Sequence, residues 1–300
     1  MNFKHLWPYL AMTAAMTTVG STIVASKLMV QMPIFVAMLV RFAVASLVLV
    51  ALLVLLRKPW PRLAPASWRL LLAQAFVGSV GYSALLLPGL GLTSAADASV
   101  ITGALPALAA LLAVFALHER LNAASWSAVG LAVAAMVLLQ LGEASGGNST
   151  NRLIGNALVL AAMACEAVFL LLSKRLREPL DPLWTATLMS TFSLVLCFPV
   201  ALVQLTVGER INFTSSALLA AVYYALVPTT LGFWLWYSGS SQVTGAQAGI
   251  FTALVPVSGL LLAAMWLDET IKPRHWLGVS LAVLAIMIST TLGPSRPVSD

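Results

Sequence analysis

Charge is scarce in this sequence. Asp, Glu, Lys and Arg make up only 9% of its 300 residues, against roughly a quarter in a soluble domain. A chain so poor in charge cannot turn most of its surface to water, which excludes a soluble multi-domain protein. Cysteine is scarcer still. Cys165 and Cys197 both fall inside long apolar runs; they are too few for a disulfide framework and fit as small buried hydrophobes. The three histidines, His5, His118 and His275, avoid the middle of those runs. No metal-spaced ligand set and no nucleophile–base pair is found, so neither a metal, a cofactor nor a catalytic residue is expected. A phosphate-binding loop is missing, which excludes an ATP-driven pump. Apolar–polar alternation is also missing, which excludes a membrane barrel.

Apolar residues are abundant instead, at 60% of the chain. A bilayer-spanning helix needs about 20 of them in a row. Ten such runs stand at about 6–27, 33–56, 68–88, 94–117, 123–141, 153–173, 182–206, 214–238, 244–267 and 275–292. The first is longer than the apolar core of a signal peptide, and Val24-Ala-Ser-Lys27 leads straight into the next span, so it is expected to be retained. The expectation is an all-α integral membrane protein of ten transmembrane helices. The net charge of +6 is scattered over short loops, which suits anionic headgroups and not nucleic acid. With a cytoplasmic N-terminus, the inside segments hold Lys4, Arg57, Lys58, Arg62, Arg69, Arg120, Lys174, Arg175, Arg177 and Arg296. The outside ones hold only Lys27, Arg152, Arg210, Lys272 and Arg274. The positive-inside rule then places both termini in the cytoplasm.

An internal repeat organises the runs. Sliding the chain by 150 positions lays Ala98–Met136 over Ala248–Ile286 without a gap, and 14 of the 39 pairs are identical. Apolar matches come easily in so biased a chain; Thr102/Thr252, Pro106/Pro256, Glu119/Glu269 and Trp126/Trp276 in one register do not. The reading is two five-helix units, residues 1–145 and 146–300. Five is odd, so the second enters the membrane from the opposite side, giving inverted repeats of the kind that secondary transporters use. Proline removes an N–H and crowds the carbonyl four residues back. Those carbonyls belong to Thr102 and Thr252. Paired proline-interrupted helices point to a central site, and an ordinary packing kink is the other open reading.

These residues resemble a known family. Thr93-Ser-Ala-Ala-Asp-Ala-Ser99, then Pro106, then His118-Glu-Arg-Leu121 resembles the end of an EamA-type repeat of the drug/metabolite transporter (DMT) superfamily. Gly20-Ser-Thr-Ile-Val-Ala-Ser-Lys27 and Arg41-Phe42 look like its first two helices. The second copy shows Ser173-Lys-Arg175, Pro256 and Asp268-Glu-Thr-Ile271. The resemblance spans about residues 6–292. It implies an inner-membrane carrier working by alternating access, with cytoplasmic termini; members mostly export amino acids, other metabolites or drugs. Two departures stand out: Val19 replaces a common aromatic, and Glu166 occupies a position that is usually bulky and apolar.

Glu166 is the lone carboxylate well inside a predicted span, where a charge costs about 2.5–3.5 kcal/mol on insertion scales. It is a candidate to exchange a proton or meet a substrate amino group; pairing with Arg41 is the structural alternative. Arg41 itself is open between gating, structure and substrate contact. Lys27 and Asp97 near helix ends are expected to be solvated or snorkelling. Glu119 and Glu269 are expected to bond loop backbone or form gate ion pairs, with fold maintenance the favoured role. The eighth span is aromatic-rich, with Tyr223, Tyr224, Phe233, Trp234, Trp236 and Tyr237. Phe233 and Trp236 share a face, and the resemblance implies that this helix lines the central cavity, where a flat or cationic substrate can stack. Tyr82, Ser83, Ser21 and Thr22 would add polar contacts. Small residues at Ala128/Ala132 and Gly278/Ala282 assign the fifth and tenth helices to scaffold or dimer contact, so monomer and homodimer both stay open.

The resulting expectation is a secondary-active exporter of small metabolites, such as neutral or aromatic amino acids, or of amphipathic drugs, with a proton as candidate coupling partner. A phosphorylated substrate fits poorly, because a core with Arg41 and little else basic cannot hold several negative charges. A facilitative uniporter or channel-like permease is the alternative, and an intramembrane enzyme a more distant one.

Overall fold

A computed structural model describes residues 3–117, 123–140, 149–173, 175–176, 180–206, 214–240, 242 and 250–291. The described residues form helices and short links, with no strand among them. The sequence dictates this through backbone satisfaction: a helix pairs its own N–H and C=O groups, so a long apolar run can leave water intact. Six helices are long and apolar enough to cross a membrane, over Leu6–Met29, Ile34–Leu55, Pro65–Leu92, Thr150–Ser173, Pro182–Thr206 and Ser215–Trp236. A seventh span arises if Ala95–Thr102 and Leu105–Leu112, bent by 45° at their junction, count as one. Their outer faces stay apolar. Leu47 and Leu55 are each 75% exposed, a surface that suits hydrocarbon and not water.

In chain order the helices are α1 (Phe3–Met29), α2 (Ile34–Leu55), α3 (Pro65–Gln74), α4 (Tyr82–Leu92), α5 (Ala95–Thr102), α6 (Leu105–Leu117) and α7 (Ala123–Gln140). There follow α8 (Ser149–Ser173), α9 (Pro182–Thr206), α10 (Ser215–Tyr224), α11 (Gly232–Ser240), α12 (Leu254–Leu267) and α13 (Pro273–Thr291). Between α3 and α4 the helix widens into π geometry over Ala75–Gly81, and between α10 and α11 it does so over Ala225–Leu231. These two segments lie 150 residues apart, as do the starts of α3 and α10, of α4 and α11, and of α7 and α13. The second π segment contains Pro228, which lacks the N–H that an α-turn needs. The hydroxyls of Thr229 and Thr230 donate to the carbonyls of Tyr224 and Ala225, at 3.0 and 2.9 Å, and so satisfy the widened turn.

The prolines act differently from the sequence expectation. Pro106 is the second residue of α6, where a missing N–H costs nothing. The helix breaks just before it, and Gly103 and Ala104 donate to the carbonyls of Val100 and Ile101 in tightened turns of 3.1 and 3.0 Å. In the second copy the Thr252 carbonyl accepts the Val255 N–H at 3.1 Å. That carbonyl therefore takes part in a tight turn.

Glycines let the helices close on one another. Gly89 of α4 and Gly155 of α8 face each other so tightly that a side-chain carbon on Gly155 would sit 2.9 Å from the Gly89 carbonyl. At the α1–α12 crossing, one on Gly20 would sit 2.8 Å from the Val255 carbonyl. Such close approach is how membrane helices gain packing energy where hydrocarbon supplies no hydrophobic drive. The apolar core gathers around these crossings, with Leu86, Leu90, Val159 and Leu260 nearly or fully buried.

Candidate functional site

Two polar clusters interrupt the apolar interior. The first centres on Arg41 in the middle of α2. Its guanidinium carbon lies 3.5 Å from the centre of the Tyr224 ring and 4.8 Å from that of Phe42. Its Nη1 donates to Ser83 Oγ at 3.3 Å, while Nε is buried without a hydrogen-bond partner. Tyr224 is the last residue of α10, and Tyr82 and Ser83 are the first two of α4. Both π segments therefore abut this cluster, which suits the frequent placement of such turns at functional sites.

Glu166 arrives on α8, whose Cys165 sulfur would lie 3.7 Å from a side-chain carbon on Gly81. The Glu166 carboxylate is within electrostatic reach of both Arg41 and Tyr82. Among the described residues it forms no direct ion pair with Arg41. Glu166, Arg41 and Tyr82 are each half-buried among the helices. A cation and an acid held apart, beside two phenols, can meet a ligand with polar groups of either sign. Beside it, Tyr223 donates to Ser21 Oγ at 2.8 Å, and Ser21 donates to the Thr18 carbonyl at 2.6 Å.

Other sequence candidates lie elsewhere. Phe233 packs against the Ala45, Leu49, Ala186 and Ala225 cluster. Trp236 is half-buried, and Trp234 meets Trp7 edge-on at 6.2 Å. The Thr102 hydroxyl donates to the Ser99 carbonyl at 2.7 Å, and neighbouring Gly103 packs on Ala282 of α13. Among the described residues, no hydrogen bond or charge contact links Thr102, Pro106, Thr252 or Pro256 to Arg41 or Glu166. Glu119 and Tyr237's side chain fall outside the described residues. Cys165 and Cys197 are free thiols.

The second cluster stands at the end of the bundle where α1 finishes and α5, α8 and α13 begin. Asp97 is fully buried there, not solvated as its position near a helix end suggests. Its Oδ2 accepts from Arg152 Nε at 2.6 Å, and its Oδ1 lies 3.1 Å from His275 Nε2. Arg152 also donates to the Leu139 carbonyl. Lys27 does not snorkel; it donates to the carbonyls of Leu90 and Thr93 at 2.5 Å each. Glu269 is placed by Asp268, whose left-handed backbone (φ 52°) ends α12; Asp tolerates that conformation better than most residues. The Glu269 carboxylate then accepts the N–H groups of Ala95 and Ala96 at the start of α5. In sequence, Arg152 reads only as an outside-segment charge and His275 only as a histidine away from mid-span, since nothing local ties them to Asp97.

Comparison with known proteins agrees with this architecture. The model of the EamA-like transporter family matches residues 6–141 and 153–291. The chain is 33% identical over 288 residues to the uncharacterized transporter YetK of Bacillus subtilis, covering 95% of this chain and 87% of that one. It is 26% identical to the uncharacterized inner membrane transporter YedA of Escherichia coli K12, over 99% and 96% of the two chains. At 28% identity, over 74% of this chain and 73% of the relative, it resembles a protein of Streptantibioticus cattleyicolor named a "probable terminal-alkyne amino-acid exporter". One crystal structure shares the fold with a TM-score of 0.64, at 21% identity, covering 95% of this chain and 97% of its own. The chain belongs to the EamA-like transporter family of the DMT superfamily.

Proposed function

We propose that this transporter is a secondary-active exporter of small metabolites, such as neutral or aromatic amino acids, or of amphipathic drugs, working by alternating access. Ten spans form two inverted five-helix repeats, residues 1–145 and 146–300, in the inner membrane with both termini cytoplasmic. The observation that carries the reading is the interior Arg41–Tyr224–Tyr82–Glu166 set: in a bilayer, charged side chains so placed mark substrate or ion pathways. The shared 150-residue step of sequence identities and π segments supports the repeat. The amino-acid exporter among the relatives supports the substrate class.

Glu166 exchanges a proton or receives a substrate amino group, and Arg41 fixes the opposite end of the ligand. Transport into proteoliposomes, against a panel of amino acids and other metabolites with and without a pH gradient, tests this reading. Saturable transport that Glu166→Gln slows at least about tenfold, the cost of about 1.4 kcal/mol, is expected. Transport of nothing across a broad panel would overturn the exporter reading. Unchanged proton dependence in Glu166→Gln would remove Glu166 from coupling.

A further inference from the structure

Asp97 binds three elements together at one end of the bundle. It stands in the first turn of α5; Arg152 comes from the first turn of α8, and His275 from that of α13. The first of these helices lies in the N-terminal half of the chain and the other two in the C-terminal half. Any movement that parts the halves at this end must therefore pull Arg152 and His275 away from Asp97.

Hydrogen-bond roles in the cluster are determined by its geometry. The Lys272 N–H donates to His275 Nδ1 at 3.1 Å, so Nδ1 carries a lone pair and the ring proton is on Nε2. Nε2–H then donates to Asp97 Oδ1. Arg274 Nε lies 3.4 Å from Nε2 on the other side. Arg152 donates to Oδ2, so both carboxylate oxygens serve as acceptors. Thr93 lies 3.5 Å from Oδ2 and 2.5 Å from Asn156 Oδ1, and Asn156 Nδ2 is buried without a partner. With the Asn156 amide turned over, Nδ2–H donates to Thr93, whose hydroxyl is then free to donate to Asp97. Glu269 is occupied by the Ala95 and Ala96 N–H groups, and Lys27 by the Leu90 and Thr93 carbonyls. Among the described residues, Asp97 is the carboxylate at the contact itself, with both oxygens used as acceptors.

We propose that Asp97 is a proton-binding site whose occupancy governs the opening of this end of the transporter. Ionised, it accepts from Arg152 and His275 and holds the halves together. A proton on either oxygen turns an acceptor into a donor and evicts one partner. Conversely, opening strips the carboxylate of both donors and leaves it free to take a proton from the adjoining compartment. By linkage, the open form binds more protons, so acid on this side favours opening and neutral pH favours closure. With cytoplasmic termini that compartment is the external one. The inference rests on alternating access; its test uses no substrate, so a failure to transport and a failure of the latch read out separately.

The test is a spin-label distance measurement on the full chain in lipid nanodiscs. Labels go on cysteines introduced at the exposed Leu92 and Leu277, in a Cys165→Ser, Cys197→Ala background. From about pH 5.5 down to about pH 3, through the ordinary carboxyl value of about 3.9, a longer distance should grow in, by up to about tenfold per pH unit where only the open form binds the proton. In Asp97→Asn that component should be present at neutral pH and insensitive to acid. His275→Gln, which keeps a donor for Asp97, should retain the acid response. A wild-type distribution unchanged across the range would overturn the proposal without any variant. So would an acid response that persists in Asp97→Asn or disappears in His275→Gln.

Discussion

The Glu269 carboxylate accepts the backbone N–H of Ala95 at 2.9 Å from 174 residues away, and that of Ala96 at 2.8 Å. With Ser94 Oγ taking the Asp97 N–H and the Ser94 carbonyl taking that of Ala98, the first turn of α5 has its donors satisfied. A carboxylate also suits the positive end of a helix. Glu269→Ala should destabilise the protein by about 0.5–2 kcal/mol, the range for a lost cap, and Glu269→Gln by less, since one oxygen remains. Thermal unfolding of the purified protein in detergent reads this directly. An alanine variant as stable as wild type would show that the cap is dispensable.

Arg41 on Tyr224 makes a second quantitative claim. Tyr224→Phe keeps the ring face that attracts the guanidinium, whereas Tyr224→Leu removes it. A desolvated contact of this kind is worth about 2 kcal/mol. The leucine variant should therefore lose stability and transport together, with the phenylalanine variant close to wild type in stability. Equal losses in the two would assign the effect to the hydroxyl instead of the ring.

The architecture is partly legible in sequence, for physical reasons. Thr102, Pro106, Glu119 and Trp126 recur 150 positions on, the same step that separates the two π segments. Glu166 and Arg41 show because a charge in an apolar run stands out. Tyr224 does not, because Tyr223 beside it has the same chemistry. Only the helix, turning 100° per residue, separates one facing Ser21 from one under Arg41. The π segments are hidden as well: Ala75–Gly81 has two glycines and no proline, while Ala225–Leu231 has Pro228 and two threonines. Asp97's partners lie 55 and 178 residues away, beyond any periodicity.

Gly155 tests the α4–α8 crossing. Any side chain there meets the Gly89 carbonyl and the Leu92 backbone, each at 2.9 Å, and backbone cannot swing aside as a side-chain end can. Gly155→Val should cost about 1–3 kcal/mol, as overpacking does, and should lower the yield of monodisperse protein in size-exclusion chromatography. Gly130, which has open space where a side-chain carbon would go, is the control. Gly130→Ala should leave stability level or slightly raised, by up to about 1 kcal/mol, since alanine is the better helix former. Similar losses at both positions would remove the crossing as the explanation.

At the opposite end of the bundle, Lys58 donates to Asp181 at 2.6 Å, just before α9 begins. Burial alone would raise the Asp181 carboxyl, but the Lys58 bond and the N–H groups of Leu183 and Trp184 outweigh it and hold the carboxyl below its ordinary value. A carboxyl lowered in the folded state adds stability that is complete above the unfolded value, near about 3.9, and is lost as pH falls through the lower folded one. The two side chains are 37% and 34% exposed, so screening keeps the pair below about 1 kcal/mol. Asp181→Asn should thus unfold at a slightly lower temperature than wild type at neutral pH, and the gap should narrow in high salt. It should close once acid has protonated Asp181 in the wild type. A gap that persists in acid would point to the Leu183 and Trp184 bonds, not the ion pair, as its source.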